Sequence, residues 1–447
     1  MSHARKNIVL ISLDDTVAFW KYKSIFGEEL KTPNLDRICG QSTAFHSAYC
    51  QVPICSPSRA SMMTGKSPHQ TGITLSDKHY LDKVPLQSLL PYRMKENGYF
   101  CSSGGKVIAG YRPVSDEVQQ TLYSDVGRTY RMAPRLRQHK RGEEPDSDSY
   151  VLTGGFRDGV GTIDPKMERT YYDRQVVQSA RRFFKSYDGD MPFYREIGLC
   201  AAHGPWITPI RYKEMYNERA IKRPRAWGRG FDENAFMNAL TVKNFDSSDL
   251  QFWKKSVRNY FSAMTFADMH VGLIWDAIKR SRHADNTLIV IVADHGLHLG
   301  ERDRFRKHTL WEQVANVPLI IHDPAHPEAR VVTDPVGLID VGPTILDYLD
   351  LPPIVDSPGK SLCPLMELGS DPDRAVPTFI GDCAAIRKGR YRFIRYGDGS
   401  TQLFDLAKDW WQTTNLGEGH PAYGDMQVAF AACCTEYNYR VVAQAAQ

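Results

Sequence analysis

The chain is short of most features that would assign it quickly. It has no long hydrophobic run: after MSHARKN the first apolar stretch, IVLISL, is six residues long and ends on two aspartates. That is too short for a secretory core or a membrane span, so the expectation is a cytoplasmic protein with no membrane partner. It has little net charge, since 56 Lys and Arg against 52 Asp and Glu leave +4 over 447 residues. A bulk polyanion binder is excluded, and no nucleic-acid motif is present. The nine cysteines (39, 50, 55, 101, 200, 363, 383, 433 and 434) are odd in number and scattered. Neither zinc-site spacing nor the density of a disulfide scaffold is there, and most read as buried, reduced thiols. Internal repeats and low-complexity tracts are absent. With 42% apolar and 24% charged residues the chain is not disordered, and it can bury a large core in one domain with an appendage or in two.

What is there begins with two buried strands. NIVLISLDD is continuously apolar until Asp14 and Asp15, and NTLIVIVADHG does the same until Asp294 and His295. Such runs read as parallel strands covered on both faces, in an α/β fold. Ligands of open α/β sheets collect beyond the carboxyl ends of strands, so two strands ending on metal-ligating side chains are expected to end at one site. PFYREIGLCAAHGPW supplies a third strand, with His203 in the loop beyond it. From Asp249 to Arg280, Tyr260, Ala263, Met264, Ala267, Val271, Ile274, Trp275 and Ile278 fall at helical spacing and predict a long amphipathic helix. The proline-rich LDLPPIVDSPGKS marks a boundary, giving a catalytic unit over 1–350 and a smaller α+β unit over 351–447. In the latter, two alternating runs flank GDGS and predict an antiparallel hairpin. The arginine-rich stretches 128–142 and 217–230 read as solvated insertions, with substrate or subunit contact, and hence a homo-oligomer, as the alternative.

An isolated Asp-Asp pair is ordinarily a turn or helix cap. Asp14, Asp15 and Asp294 gathered in one place would repel one another unless a cation sat among them, and a hard divalent ion meets that need. His295 is compatible with manganese or zinc as well. The stretch ICSPSRASMMTG opens like a helix, with Ser56 as capping hydroxyl, Pro57 in the first turn and Arg59 one turn beyond Cys55. A cysteine there can be a packed thiol, a low-pKa nucleophile or a precursor of something else, and a thiolate beside a hard metal is chemically awkward.

CSPSRASMMTG is similar to the C-x-P-S-R…T-G signature of the type I sulfatases of the alkaline phosphatase superfamily, in which the cysteine is oxidised to formylglycine. NIVLISLDD, PNLDRI, SGGKVIAG, AAHGPW, VADHGLHLGERDRFRKHTLWE, NVPLII, DVGPTILDYLDLP and RKGRYRFIRYGDGSTQLFDLAKD resemble further landmarks of that family in the same order. Iduronate-sulfatase-like and choline-sulfatase-like branches resemble it most. The resemblance implies a large, mostly parallel sheet flanked by helices, with an antiparallel sheet in the C-terminal unit. It implies Asp14, Asp15, Asp294, His295 and modified Cys55 as ligands of a divalent metal, Ca2+ first and Mn2+ or Mg2+ as alternatives. Arg59 would stabilise the charged hydrate, Lys106 and Lys307 would hold the sulfate oxygens, and His203 would protonate the leaving alcohol. For each lysine the plainer reading is a surface charge. A formylglycine-generating enzyme is the implied maturation partner and a small-molecule sulfate ester the substrate.

Two departures stand out. Val107, Ile108 and Ala109 follow Lys106 where the family often has a histidine, so that one sulfate contact is either missing or supplied by another residue such as His79 or His308; Ala201 and Ala202 precede His203 where a lysine is often found. The competing readings are a phosphonate monoester or phosphodiester hydrolase of the same superfamily, and a noncatalytic anion-binding relative.

Overall fold

Seven consecutive residues of the first strand, Asn7–Leu13, are buried, and so are all seven of Thr287–Ala293. The two pair in parallel with Leu13 opposite Ala293, so the chain leaves both strands at the same level. Phe193–Gly198 pairs in parallel on the other side of Asn7–Leu13, followed by Phe100–Gly105 and Asp125–Val126. Beyond Thr287–Ala293, Leu319–His322 runs antiparallel, then Thr43–Phe45 and Arg330–Val332 complete an eight-stranded, mostly parallel sheet. The continuous β-branched runs are buried on both faces because helices cover the sheet. These observations come from a computed structural model, which describes residues 6–75, 80–108, 114–126, 150–157, 159–367 and 369–441.

The predicted long helix spans Leu250–Lys279, capped by the Asp249 side chain, which accepts from Phe252 N. Its buried positions include all the apolar residues that the spacing singled out. No helix among the described residues is long and apolar enough to cross a membrane.

The predicted C-terminal hairpin pairs Tyr391–Arg395 with Thr401–Asp405 and is half of a four-stranded antiparallel sheet begun by Ala375–Ile380 and Cys383–Lys388. Alternation divides its side chains. Phe379, Ile386, Phe393 and Leu403 pack under the helix Tyr423–Glu436 against Met426 and Phe430. Cys383, Ala385, Ile394 and Phe404 face the other way, against Val52, Ile54, Leu310 and Trp311. The small sheet thus buttresses the residues just before Cys55 and just after Lys307. The stretch 128–142 and His79 lie outside the described residues, whereas 217–230 holds a 3-10 turn at Arg225–Arg229.

Candidate active site

The register that aligns Leu13 with Ala293 sets Asp14 and Asp15 beside Asp294 and His295. Asp15 N donates to Asp294 Oδ1 at 3.2 Å, and His295 N donates to the same oxygen at 2.9 Å. Asp15 adopts a left-handed backbone, φ +51°, held by Tyr260, whose hydroxyl donates to Asp15 O at 2.7 Å and accepts from Val17 N at 3.0 Å. This pins the Asp15 side chain at the strand end, a conformation that non-glycine residues adopt at a cost.

Cys55 is the first residue of the helix Cys55–Thr64, whose cap is Ile54 and not the expected Ser56. Ser56 lies inside the first turn, and its buried hydroxyl has no hydrogen-bond partner among the described residues. The sequence order C-S-P misleads because the extended residue that caps the helix is Ile54, at φ −147°, so the helix begins two residues earlier and Cys55 itself stands in the electropositive first turn. Cys55 Sγ lies 2.9 Å from Lys307 Nζ, 3.2 Å from His295 Nε2 and 3.8 Å from Asp14 Oδ1.

One helical turn on, Arg59 is fully buried. Its Nε donates to Asp294 Oδ2 at 3.0 Å, its Nη2 lies 3.6 Å from Asp14 Oδ1, and its Nη1 donates to Ser12 Oγ and to the carbonyls of Lys106 and Val107. Lys106 follows the strand Phe100–Gly105 and pairs with Asp14 Oδ2. Its placement depends on two glycines. A Cβ on Gly198 would lie 2.1 Å from the Lys106 backbone, and one on Gly105, at φ +90°, would lie 2.0 Å from Gly198 O. Lys307 Nζ sits 2.6 Å from Asp15 Oδ1. His203 Nε2 is 3.9 Å from Asp15 Oδ2, and its Nδ1 is bonded to Gly204 O at 2.7 Å.

Every residue assigned by resemblance therefore reaches one cluster, with a distinction among the acids. Asp14, Asp15, Cys55 and His295 each bring a ligand atom within 4.8 Å of the others. Asp294 stands behind them, its oxygens taken by Arg59 and two backbone amides. His308 follows Lys307 directly, at φ +75°, with burial first and Lys307 second in pushing its pKa down to about 4.

Electrostatics in the cluster are those of buried opposite charges. Burial alone would raise the Asp14 carboxyl, but Lys106, His203, Arg59 and Lys307 outweigh it and hold it well below the carboxylate range. Asp15 is likewise brought to about 2 against burial, chiefly by Lys307. Burial pushes the Cys55 thiol up to about 12 despite Lys307 and Lys106, so the thiol is protonated at neutral pH. Burial also lowers the pKa of both His203 and His295, with Asp15 and Asp294 respectively opposing it most.

Asp173 is a further member that sequence reasoning missed. Its Oδ1 accepts from Cys200 N at 2.7 Å and its Oδ2 from Ala201 N at 2.8 Å, which holds the loop carrying His203. In sequence it is one acidic residue in the first turn of the helix Tyr172–Ser186, with nothing to distinguish it from an ordinary helix-start aspartate.

A large parallel sheet whose strand ends gather carboxylates, an imidazole, three cations and a cysteine at a helix start defines a hydrolase of anionic esters. The sulfatase family model matches residues 6–351, and the chain belongs to that family of sulfuric ester hydrolases. It is 28% identical to a sulfatase of Formosa agariphila over 429 residues, 91% of this chain and 82% of that one. It is 27% identical to the choline-sulfatase of Rhizobium meliloti over 411 residues, 87% of this chain and 78% of that one. The structure of a phosphonate monoester hydrolase from Silicibacter pomeroyi superposes with a TM-score of 0.75 at 18% identity, covering 98% of this chain and 96% of that chain, a likeness of fold.

Proposed function

We propose that the chain hydrolyses the sulfate monoester of a small molecule, releasing inorganic sulfate and an alcohol, at the cluster around Cys55. The observation that carries this reading is the convergence of Arg59, Lys106 and Lys307 with His203 on two carboxylates beside one cysteine, in a chain of the sulfatase family. Asp14, Asp15 and His295 are hard oxygen and imidazole donors spaced to share one ion, which suits Ca2+ first and Mn2+ or Mg2+ as alternatives. Such an ion would neutralise the paired carboxylates and draw charge from an anionic ester. The protonated Cys55 thiol suits neither a hard ion nor attack on sulfur. Oxidised by a formylglycine-generating enzyme, residue 55 would carry an aldehyde hydrate, an oxygen nucleophile that suits both.

The remaining work falls to ordinary side chains. Lys106 and Lys307 bind the nonbridging sulfate oxygens and offset the charge that builds as the sulfur to oxygen bond lengthens. Arg59 holds Asp294 and, through it, the amides of Asp15 and His295. The bond from Nδ1–H to Gly204 O orients the His203 ring, and in its protonated form, which burial disfavours and Asp15 supports, Nε2 hands its proton to the departing alcohol oxygen.

The fold likeness to a phosphonate monoester hydrolase supports a second reading, hydrolysis of phosphonate monoesters or phosphodiesters. Turnover of phenyl sulfate, a phenyl phosphonate ester and an aryl phosphodiester by metal-loaded, matured protein separates the two. The expected order puts phenyl sulfate first by kcat/KM, and the reverse order gives the second reading.

A further inference from the structure

Beside the His203 loop stands an arginine that the cluster does not use. The segment Thr153–Arg157 is fastened to the long helix: Phe156 N donates to Ser256 Oγ at 2.7 Å, Asn259 Nδ2 to Gly154 O at 2.7 Å, and Arg258 Nη2 to Thr153 O at 2.9 Å. The Phe156 ring anchors it among Trp206, Phe245 and Phe305, with centroids 5.9, 6.1 and 5.5 Å away. Arg157, the next residue, has the left-handed backbone at φ +58°, and its carbonyl accepts from Gly159 N at 2.7 Å, closing a tight turn. The side chain is exposed, and no ion pair or side-chain hydrogen bond joins it to another described residue. It lies along Gly204, where a Cβ would be 3.0 Å from Arg157 Nη1 and 3.4 Å from its Cδ.

Gly204 follows His203 and carries the carbonyl that orients its ring. Since His203 protonates the leaving oxygen, the alcohol part of the substrate lies on this side of the cluster. A guanidinium held here on a braced turn, with no partner acid among the described residues, is pre-organised for an oxyanion. We infer that Arg157 is a specificity-determining residue, which binds a second anionic group, a carboxylate or a further sulfate, on the alcohol part of a doubly charged sulfate ester. The inference rests on the sulfate-ester reading above.

The test uses full-length protein with Cys55 unmodified, so that binding is read without turnover. Calorimetric titrations with 3- and 4-carboxyphenyl sulfate, their singly charged carbamoyl counterparts and benzene-1,3-disulfate are compared between wild type, Arg157→Ala and Arg157→Lys. Wild type is expected to prefer at least one carboxyphenyl dianion over its monoanionic carbamoyl counterpart by about tenfold, the increment of one charge-assisted bond of roughly 1.4 kcal/mol. That ratio falls to near one in Arg157→Ala and is partly kept in Arg157→Lys. The carboxylate and disulfate arms say which oxyanion is preferred. Absence of a preference in wild type, or a ratio that survives Arg157→Ala, overturns the assignment. Failure of matured enzyme to release sulfate from any of these esters would instead count against the sulfatase reading, whatever the binding ratios.

Discussion

Arg59 shows how much of the cluster depends on single buried contacts. It is fully buried, and its guanidinium spans Asp294, Asp14, Ser12 and two backbone carbonyls. Arg59→Ala leaves Asp294 as an uncompensated buried charge, which costs about 3–5 kcal/mol. Chemical denaturation should show that loss, and Arg59→Lys should recover only part of it, because an ammonium cannot reach both Asp294 and the Lys106 carbonyl. Asp173 acts through the loop it holds. Asp173→Asn replaces one acceptor with a donor facing a backbone amide, so His203 is displaced and kcat with an aryl sulfate is expected to fall about tenfold or more, with KM within threefold, as one lost orienting bond of ~1–3 kcal/mol implies. Rescue by Asp173→Glu would point to simple acceptor chemistry. The residues legible from the chain itself stood at strand ends or inside the Cys55 motif, whereas Lys106 and Lys307 were raised above surface charges only by the family resemblance. Asp173 and Arg157 were not legible, because each acts across a contact that joins a helix start or an insertion turn to the 200–204 loop, and neither has a periodicity or spacing that announces it.

At the scale of elements, the central strands carry charge as well as apolar side chains. Glu196, in Phe193–Gly198, is fully buried; burial pushes its carboxyl up to about 7, against the hydrogen bond from Tyr123. A folded pKa raised above the unfolded value of 4.5 means that the folded state holds the proton more tightly. Its contribution to stability is therefore full below pH 4.5 and is lost as pH rises toward 7. Glu196→Gln should equal wild type near pH 4 and exceed it at pH 8, by an amount on the order of 3 kcal/mol in denaturant melts. The strands themselves were legible, since uninterrupted β-branched runs admit little else. The C-terminal hairpin was legible from alternation around GDGS, yet its two partner strands were not. Ala375–Ile380 contains Pro377, and Cys383–Lys388 reads as a mixed run, so only pairing discloses them, Cys383–Lys388 with the hairpin and Ala375–Ile380 with Cys383–Lys388.

For the molecule as a whole, the C-terminal sheet and the cluster share a core through Trp311, Leu310 and Ile54. Ile394→Ala, beneath that contact, is expected to cost about 2–5 kcal/mol and to lower the melting temperature of the whole chain in one transition. Metal binding couples to the same equilibrium. Ca2+ at a hundredfold excess over its Kd should stabilise the fold by about 2.7 kcal/mol, and Asp14→Asn with Asp15→Asn should abolish that shift. The family and the class of fold could be read from motif order, whereas the turn carrying Arg157, proposed above to meet the alcohol, belongs to no such motif.

The central claim is that residue 55 works as an oxidised cysteine. The measurement that tests it is the mass of the peptide carrying residue 55, from protein made with and without a formylglycine-generating enzyme, set against sulfate release by the same preparations. The account predicts formylglycine at position 55 only in the first preparation, with activity proportional to its fraction. Full sulfate release by protein whose residue 55 is entirely cysteine would contradict it.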